Sequence, residues 1–156
     1  MDYSNNEIEA VLQNGNMHID SDEVYDAVRR GWTKLHDASD DEIIEHFADY
    51  EPESIVGVVS NVKGIVFEQE IVRTLDNAGI DADLFDATNN PGTDIFLSNG
   101  QEFSVKSGIS PHAAEEDLDE GLDVISTHEI ATYHDEIIDT GMSSDELTDA
   151  VVDALF

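Results

Sequence analysis

The stretch from Lys63 to Lys106 constrains the fold most, because its hydrophobic periodicity changes from helical to strand-like within a few residues. Residues 63–79 follow a helical pattern that ends at Gly79, and a glycine is typical just past the end of a helix. Short runs rich in apolar residues follow at 82–87, 94–98 and 102–107. A helix followed by three strands predicts an α/β (α+β) domain with a small mixed sheet flanked by helices.

The remainder of the chain is predicted to be mostly helical. Ser21 is the expected cap of an amphipathic helix, Ser39 and Glu42 form a capping box for the next one, and Pro52 opens a third apolar stretch. Residues 109–120 are expected to form an acidic loop with a helical turn, 122–127 a fourth strand and 129–139 a helix, before a last helix after Ser143. We therefore expect a helical extension at 1–50 and an α/β domain at 51–156, together in one compact unit.

Asn99 and Gly100 separate the last two strand-like runs and predict a hairpin. A two-residue loop would pair Asp94 with Val105, whereas a three-residue loop from Ser98 to a left-handed Gly100 would pair Asp94 with Ser104. We favour the longer loop, because it places Ile95, Leu97, Phe103 and Val105 on one apolar face. Asp94 then shares a face with Lys106.

The net charge is −31, from 37 acidic and six basic residues. Such a composition resembles that of proteins from extreme halophiles and their viruses, where molar salt screens charges beyond about 3 Å. The alternative is a DNA mimic, although a mimic needs only one acidic face. The chain has no cysteine, which excludes disulfides, thiolate metal sites and cysteine nucleophiles.

Positive charge is distributed unevenly. The stretch from Lys63 to Lys106 has three basic and eight acidic residues, whereas the rest of the chain has three basic and 29 acidic ones. Either this stretch approaches another anion, or it is more buried and has less surface to acidify. Arg29, Arg30 and Lys34 could contact phosphates, but neutralising neighbouring acids is the simpler role.

Three short motifs in this stretch occur in a suggestive order: a helix with Gly64 and Glu68, then Pro91-Gly-Thr-Asp94 at a strand start, then Ser104-Val-Lys106 on the next strand. This order resembles the PD-(D/E)XK nuclease superfamily, and most nearly its archaeal Holliday junction resolvase type. The resemblance covers residues 63–107. It implies a restriction-endonuclease-like fold and Mg²⁺-dependent (or Mn²⁺-dependent) cleavage of DNA.

The resemblance also implies roles for individual residues. Asp94 would be the central metal ligand, Glu68 a second ligand and the backbone carbonyl of Val105 another, while Lys106 would orient the attacking water or stabilise developing charge. The sequence departs from the family at Ser104, where the family has an acid. Glu102 is a possible replacement, but it lies two residues further back, about 7 Å along the strand.

Several alternatives remain open at this stage. The chain could be a metal-dependent nuclease with DNA as its partner, or an inactive module of the same scaffold that assembles with other proteins or with itself. His112, His128 and His134 are expected to be surface or capping groups. No apolar run approaches the ~18 residues of a membrane span, so we expect no membrane partner and a location in a high-salt cytoplasm or a virion.

Overall fold

The computed structural model describes residues 2–85 and 93–156. In these ranges four helices come first, and the strands of one mixed sheet follow, with helices between the later strands. The helices in these ranges are α1 (Asn5–Asn14), α2 (Ser21–Gly31), α3 (Asp40–Phe47), α4 (Pro52–Asn77), α5 (His112–Asp119), α6 (His128–Ala131) and α7 (Ser144–Leu155), with a 3₁₀ turn at Thr33–Leu35. The strands are β1 (Ala82–Leu84), β2 (Ile95–Leu97), β3 (Glu102–Lys106), β4 (Asp123–Ser126) and β5 (Ile138–Asp139). The predicted mixed α/β class is confirmed.

The sheet has the order β1-β2-β3-β4-β5. The first three strands pair antiparallel, and the pairs β3–β4 and β4–β5 are parallel. A parallel pair requires a crossover connection, which α5 supplies between β3 and β4. This crossover brings α5 against β3, a contact that matters for the site described below.

The central element is α4, a single helix of 26 residues. The sequence pattern suggested two apolar stretches here, but the helix runs through Gly57 and Gly64 without interruption. It packs against α1, α2 and α7 and against strands β1 and β3. Because it has neighbours on several sides, its buried residues do not form one narrow stripe, and they include one charged side chain, Glu70.

The two faces of the sheet bury different clusters. Phe103, Ile125 and Ile138 belong to the main core, which also contains residues of α1, α2, α3, α4 and α7. Val124 belongs instead to a smaller cluster with Ala114 of α5 and Ile130 of α6. Helices therefore cover both faces, and successive residues of a strand point into different clusters.

The hairpin register is confirmed as the three-residue alternative. Ile95 pairs with Phe103, Gly100 has φ +95°, and the N–H of Leu97 donates to the carbonyl of Gln101 at 2.8 Å. Extending this register by one residue places Asp94 opposite Ser104. The turn predicted at Pro91-Gly92 lies outside the described residues, as does the end of the first predicted strand.

Two local predictions were wrong. The cap of α2 is Asp20, whose carboxylate accepts from the N–H of Glu23, so the assignment to Ser21 was wrong by one residue. Residues 129–139 are not one helix, because Ile138 pairs with Ile125 in the sheet and α6 ends at Ala131. The N-terminal residues form a well-capped helix, in which Ser4 and Glu7 make a capping box.

The Ser39–Glu42 capping box is present at the start of α3 as predicted. Within residues 2–85 and 93–156, no helix is both long enough and apolar enough to span a membrane.

Candidate functional site

The residues singled out by the motifs meet at the end of the sheet where β2 begins and β3 ends. Asp94 immediately precedes β2, Lys106 is the last residue of β3, and Glu68 lies in the middle of α4. These are the residues that the resemblance selected, and three different elements supply them.

Asp94 is held by two backbone hydrogen bonds. Its N–H donates to the carbonyl of Phe103 at 2.8 Å, and its Oδ2 accepts from the N–H of Val105, also at 2.8 Å. A side-chain oxygen thus bonds a backbone donor of the neighbouring strand. This bond fixes the orientation of the carboxylate.

The Glu68 carboxyl group lies near that of Asp94, close enough for the two to act on each other electrostatically. Burial above all, and then the neighbouring Asp94 carboxyl, raise the pKa of Glu68 to about 8. Two adjacent carboxylates cannot both ionise without cost. At neutral pH, the raised pKa favours the protonated form of Glu68.

Two cations face this pair and oppose that rise in pKa, namely Arg30 and Lys106. Arg30 is exposed and lies in α2, where its Nη2 is 3.5 Å from the carbonyl oxygen of Phe85. The next residue, Gly31, lies so close to α4 that an added Cβ would be 2.6 Å from Cδ1 of Ile65. This close helix packing brings a cation of the N-terminal extension to the carboxyl pair.

Lys106 has a direct partner on α5. Its Nζ lies 3.1 Å from Oδ2 of Asp117. The same oxygen accepts the hydroxyl of Ser104 in a short hydrogen bond. Ser104, where the resemblance expects an acid, is therefore buried and engaged with a carboxylate from another element.

The other predicted site residues have different surroundings. Val105 offers its N–H to Asp94, and no contact of its carbonyl with the carboxyl pair is seen in the described residues. Glu102 is exposed, and its Oε1 accepts from the hydroxyl of Thr93 at 2.8 Å. The structure thus brings together Glu68, Asp94 and Lys106 and leaves Glu102 outside that group.

The histidines and the remaining cations of the N-terminal part have partners or exposure that suit surface roles. His112, His128 and His134 pair with Glu116, Asp139 and Glu115 respectively. Arg29 bonds Asp26, Asp40 and the carbonyl of Ala38. Lys34 is exposed on the 3₁₀ turn. Arg29 therefore neutralises acids, whereas its neighbour Arg30 faces the carboxyl pair.

The carboxyl pair fits a divalent cation that keeps most of its water. Mg²⁺ often binds proteins through one or two carboxylates and otherwise retains waters or takes phosphate oxygens. In the ranges 2–85 and 93–156 there is no group of three or more acidic or histidine side chains arranged to hold a metal. The ligand set available here is thus Glu68 and Asp94, and a bound cation would displace the proton of Glu68.

Sequence reasoning missed Asp117 entirely. Residues 109–120 were expected to be an acidic loop with a helical turn, yet Asp117 follows the fully buried Ala114 by three residues on α5. An acid one turn after a buried alanine lies on the inward face of a helix. That spacing is the signal that could have identified it.

Comparisons of this chain with protein-family models, with curated proteins and with solved structures found no match.

Proposed function

We propose that this protein is a divalent-cation-dependent phosphodiester hydrolase that acts on DNA and has a restriction-endonuclease-like arrangement of its site. The observation that carries the proposal is the proximity of the Glu68 and Asp94 carboxyl groups, with Asp94 oriented by the N–H of Val105 and Lys106 close enough to lower the pKa of Glu68. The order of the three motifs along the chain supports the same assignment.

In this proposal, Asp94 and Glu68 hold the cation. Asp94 is the better-oriented ligand, because one of its oxygens is fixed by the N–H of Val105 and the other is directed by that bond. Glu68 must lose its proton to become a ligand. Bound Mg²⁺ supplies charge neutralisation and lowers the pKa of an attacking water.

The two nearby cations have separate tasks. Lys106, at the end of β3, stabilises negative charge that develops on the scissile phosphate. Arg30 is exposed at the rim of the site and contacts a phosphate of the bound strand, for which its planar guanidinium is well suited. These are two of only six basic residues in the chain.

The net charge of −31 opposes DNA binding in dilute buffer. At molar salt, charges further than about 3 Å apart are strongly screened, so long-range repulsion largely disappears and direct contacts decide binding. Cations placed at the site then matter more than the total charge. We therefore expect cleavage in molar KCl.

The test is a cleavage assay with the purified protein in molar KCl. Linear, supercoiled and four-way-branched DNA are each incubated with Mg²⁺ or Mn²⁺. The wild type should cleave at least one form in a cation-dependent manner, while Asp94→Asn and Lys106→Ala should lower the rate by about 100-fold or more.

Glu102→Gln is the matched control, because it removes one carboxylate from the same hairpin at a position outside the pair. Its rate should stay within about twofold of the wild type. Absence of cleavage by the wild type with every DNA form and both cations would overturn the proposal.

A second candidate function rests on the ion pair between Lys106 and Asp117. A lysine that is neutralised by an internal carboxylate is compatible with an inactive module that keeps the scaffold for assembly with a protein partner or a second copy. Light scattering in molar KCl tests self-assembly, and this candidate requires both an assembled state and a failure to cleave.

A further inference from the structure

We propose that Asp117, on α5, is the positioning residue of Lys106 and is itself oriented by Ser104. This inference rests on the proposed hydrolase function. It gives a task to a carboxylate that the motifs do not include.

The geometry begins on β3, where Ser104 and Lys106 are two residues apart and so project from the same face. Helix α5 packs against that strand after the crossover. Asp117, on α5, has a side chain only 14% exposed, and the side chain of Lys106 is 28% exposed. The contact between them is therefore largely shielded from water.

One oxygen of Asp117 serves both strand residues. Its Oδ2 lies 3.1 Å from Nζ of Lys106 and accepts the hydroxyl of Ser104. A carboxylate oxygen thus lies one hydrogen bond away from the Ser104 side chain, close to where a longer acidic side chain at 104 would end. Ser104 orients Asp117, and Asp117 in turn orients the amine.

Shielding distinguishes this ion pair most clearly from the pair His112–Glu116 on the same helix. The side chains of His112 and Glu116 are 83% and 67% exposed. Ion pairs exposed to this extent restrict the motion of their side chains only weakly. A lysine has a long flexible stem and no preferred direction of its own. A shielded carboxylate beside the end of β3 restricts the ammonium to the end of the sheet where Glu68 and Asp94 meet.

The alternative role for Asp117 is purely structural, as a link between α5 and β3. That role would require the ion pair for stability but not for the reaction. The two roles differ in what they predict for the order of the Lys106 ammonium and for kcat, so the experiment measures both along with the thermal midpoint.

The experiment uses the full chain in molar KCl with isotopically labelled lysine. The chain has only three lysines, Lys34, Lys63 and Lys106, so Lys106→Arg assigns the relevant signal. Asp117→Asn should release the Lys106 side chain to fast motion in the NMR relaxation data. It should also lower kcat by about 10- to 100-fold with little change in KM, as is usual when the partner of a site residue is removed.

Two further variants make the result specific. Asp119→Asn removes the same charge from an exposed position of α5 and should change neither lysine order nor kcat. The double variant Ser104→Asp with Asp117→Asn supplies a carboxylate beside Lys106 from the strand instead of from α5 and should restore kcat to within a few-fold of wild type. If Asp117→Asn lowers the thermal midpoint and leaves both kcat and Lys106 order unchanged, the positioning role is overturned.

Failure of this inference is distinguishable from failure of the hydrolase proposal. A wild type that cleaves no DNA overturns the proposed function. A wild type that cleaves, together with an Asp117→Asn variant that cleaves equally well, overturns only the role of Asp117. Unchanged order of Lys106 in Asp117→Asn also overturns it, whether or not the wild type is active.

Discussion

Helix α4 carries two carboxyl pairs that look alike in charge but differ in surroundings. One joins Glu70 to Glu23 of α2, and the other joins Glu68 to Asp94. Burial, as the largest cause, and the neighbouring carboxyl together raise the pKa of Glu23 and of Glu68 to about 8 in each case. Glu68 and Glu70 are two residues apart, so they project from different sides of the helix.

We call the Glu70 pair closed, because a contacting arginine and a backbone N–H bond its carboxylate. Glu70 is fully buried, and both of its oxygens are bonded by Arg73, with Nε at 2.9 Å from Oε2. The N–H of His18 adds a third bond at 3.0 Å. A buried carboxylate needs such partners to be tolerated. This pair therefore links α2, the segment before it and α4.

We call the Glu68 pair open, because no cation among the described residues contacts either of its carboxyl groups. Asp94 accepts one backbone N–H, and the two nearby cations, Arg30 and Lys106, act on Glu68 without an ion-pair contact among the described residues. A cation in contact satisfies a carboxylate, whereas a cation held further away leaves room for a ligand. The two pairs contain similar acids, and they differ in their arginines. Arg73 contacts Glu70, whereas Arg30 acts on Glu68 from a greater distance.

The largest expected effect is on stability and compares the two arginines. Arg73→Met should lower the free energy of unfolding by about 3 kcal/mol or more, because Glu70 stays buried without its cation. Arg30→Met should lower it by less than about 1 kcal/mol, since Arg30 is exposed and forms no close ion pair among the described residues. Chemical denaturation in molar KCl measures both. Equal losses would contradict the distinction between a closed and an open pair.

The second effect is stabilisation by a divalent cation. Mn²⁺ at about 100 times its dissociation constant should add about 2.7 kcal/mol to the free energy of unfolding, because it binds only the folded site. Asp94→Asn should abolish this gain, and Glu23→Gln should retain it. Thermal scans with and without Mn²⁺ provide the measurement, and a gain that survives in Asp94→Asn would place the cation elsewhere.

A smaller effect concerns pH. A carboxyl whose pKa is higher in the folded state than in the unfolded state binds more protons when folded, so stability falls as pH rises. The window runs from the ordinary value of 4.5 to about 8 for both Glu23 and Glu68. Glu23→Gln and Glu68→Gln should each make the fall shallower in denaturation series across that range.

Mn²⁺ sharpens this pH test. At saturation, Mn²⁺ should remove the contribution of Glu68 to the pH dependence of the free energy of unfolding, because the cation displaces the proton of Glu68. The contribution of Glu23 should remain. If the slope in Mn²⁺ equals the slope without it, the open pair does not bind the cation.

The smallest expected effect separates the neighbouring arginines of α2. Arg30→Gln should raise KM for DNA several-fold and reduce the dependence of binding on salt by about one counterion. Arg29→Gln removes the same charge, but Arg29 already bonds Asp26 and Asp40, so KM should stay unchanged. Equal changes in KM would indicate a general charge effect instead of a contact by Arg30.

Local signals in the sequence were enough for the hairpin and the ends of several helices. Asn99-Gly100 and the alternation around it gave the register of β2 and β3, and Gly79, with φ +88°, ends the turn after α4. Ser39 and Glu42 identified the start of α3. In each case the determining interactions lie within a few residues of one another.

Features that depend on distant contacts could not be predicted in this way. Ile138 leaves a helical pattern because it pairs with Ile125 of β4. Asp117 reaches Lys106 only because the crossover lays α5 over β3, and Arg30 reaches the carboxyl pair only because α2 packs closely at Gly31. The motif residues were found by resemblance, but these supporting residues belong to the three-dimensional arrangement alone.

The bond from the Val105 N–H to Asp94 has a consequence for evolution at position 94. The side chain there accepts a hydrogen bond from the backbone of a neighbouring strand. An apolar substitute would leave the N–H of Val105 without this acceptor. Selection for expression alone should retain both aspartate and asparagine at this position, whereas selection for DNA cleavage should retain aspartate only. Natural variants carrying asparagine would then mark lineages in which the scaffold persisted after its chemistry was lost.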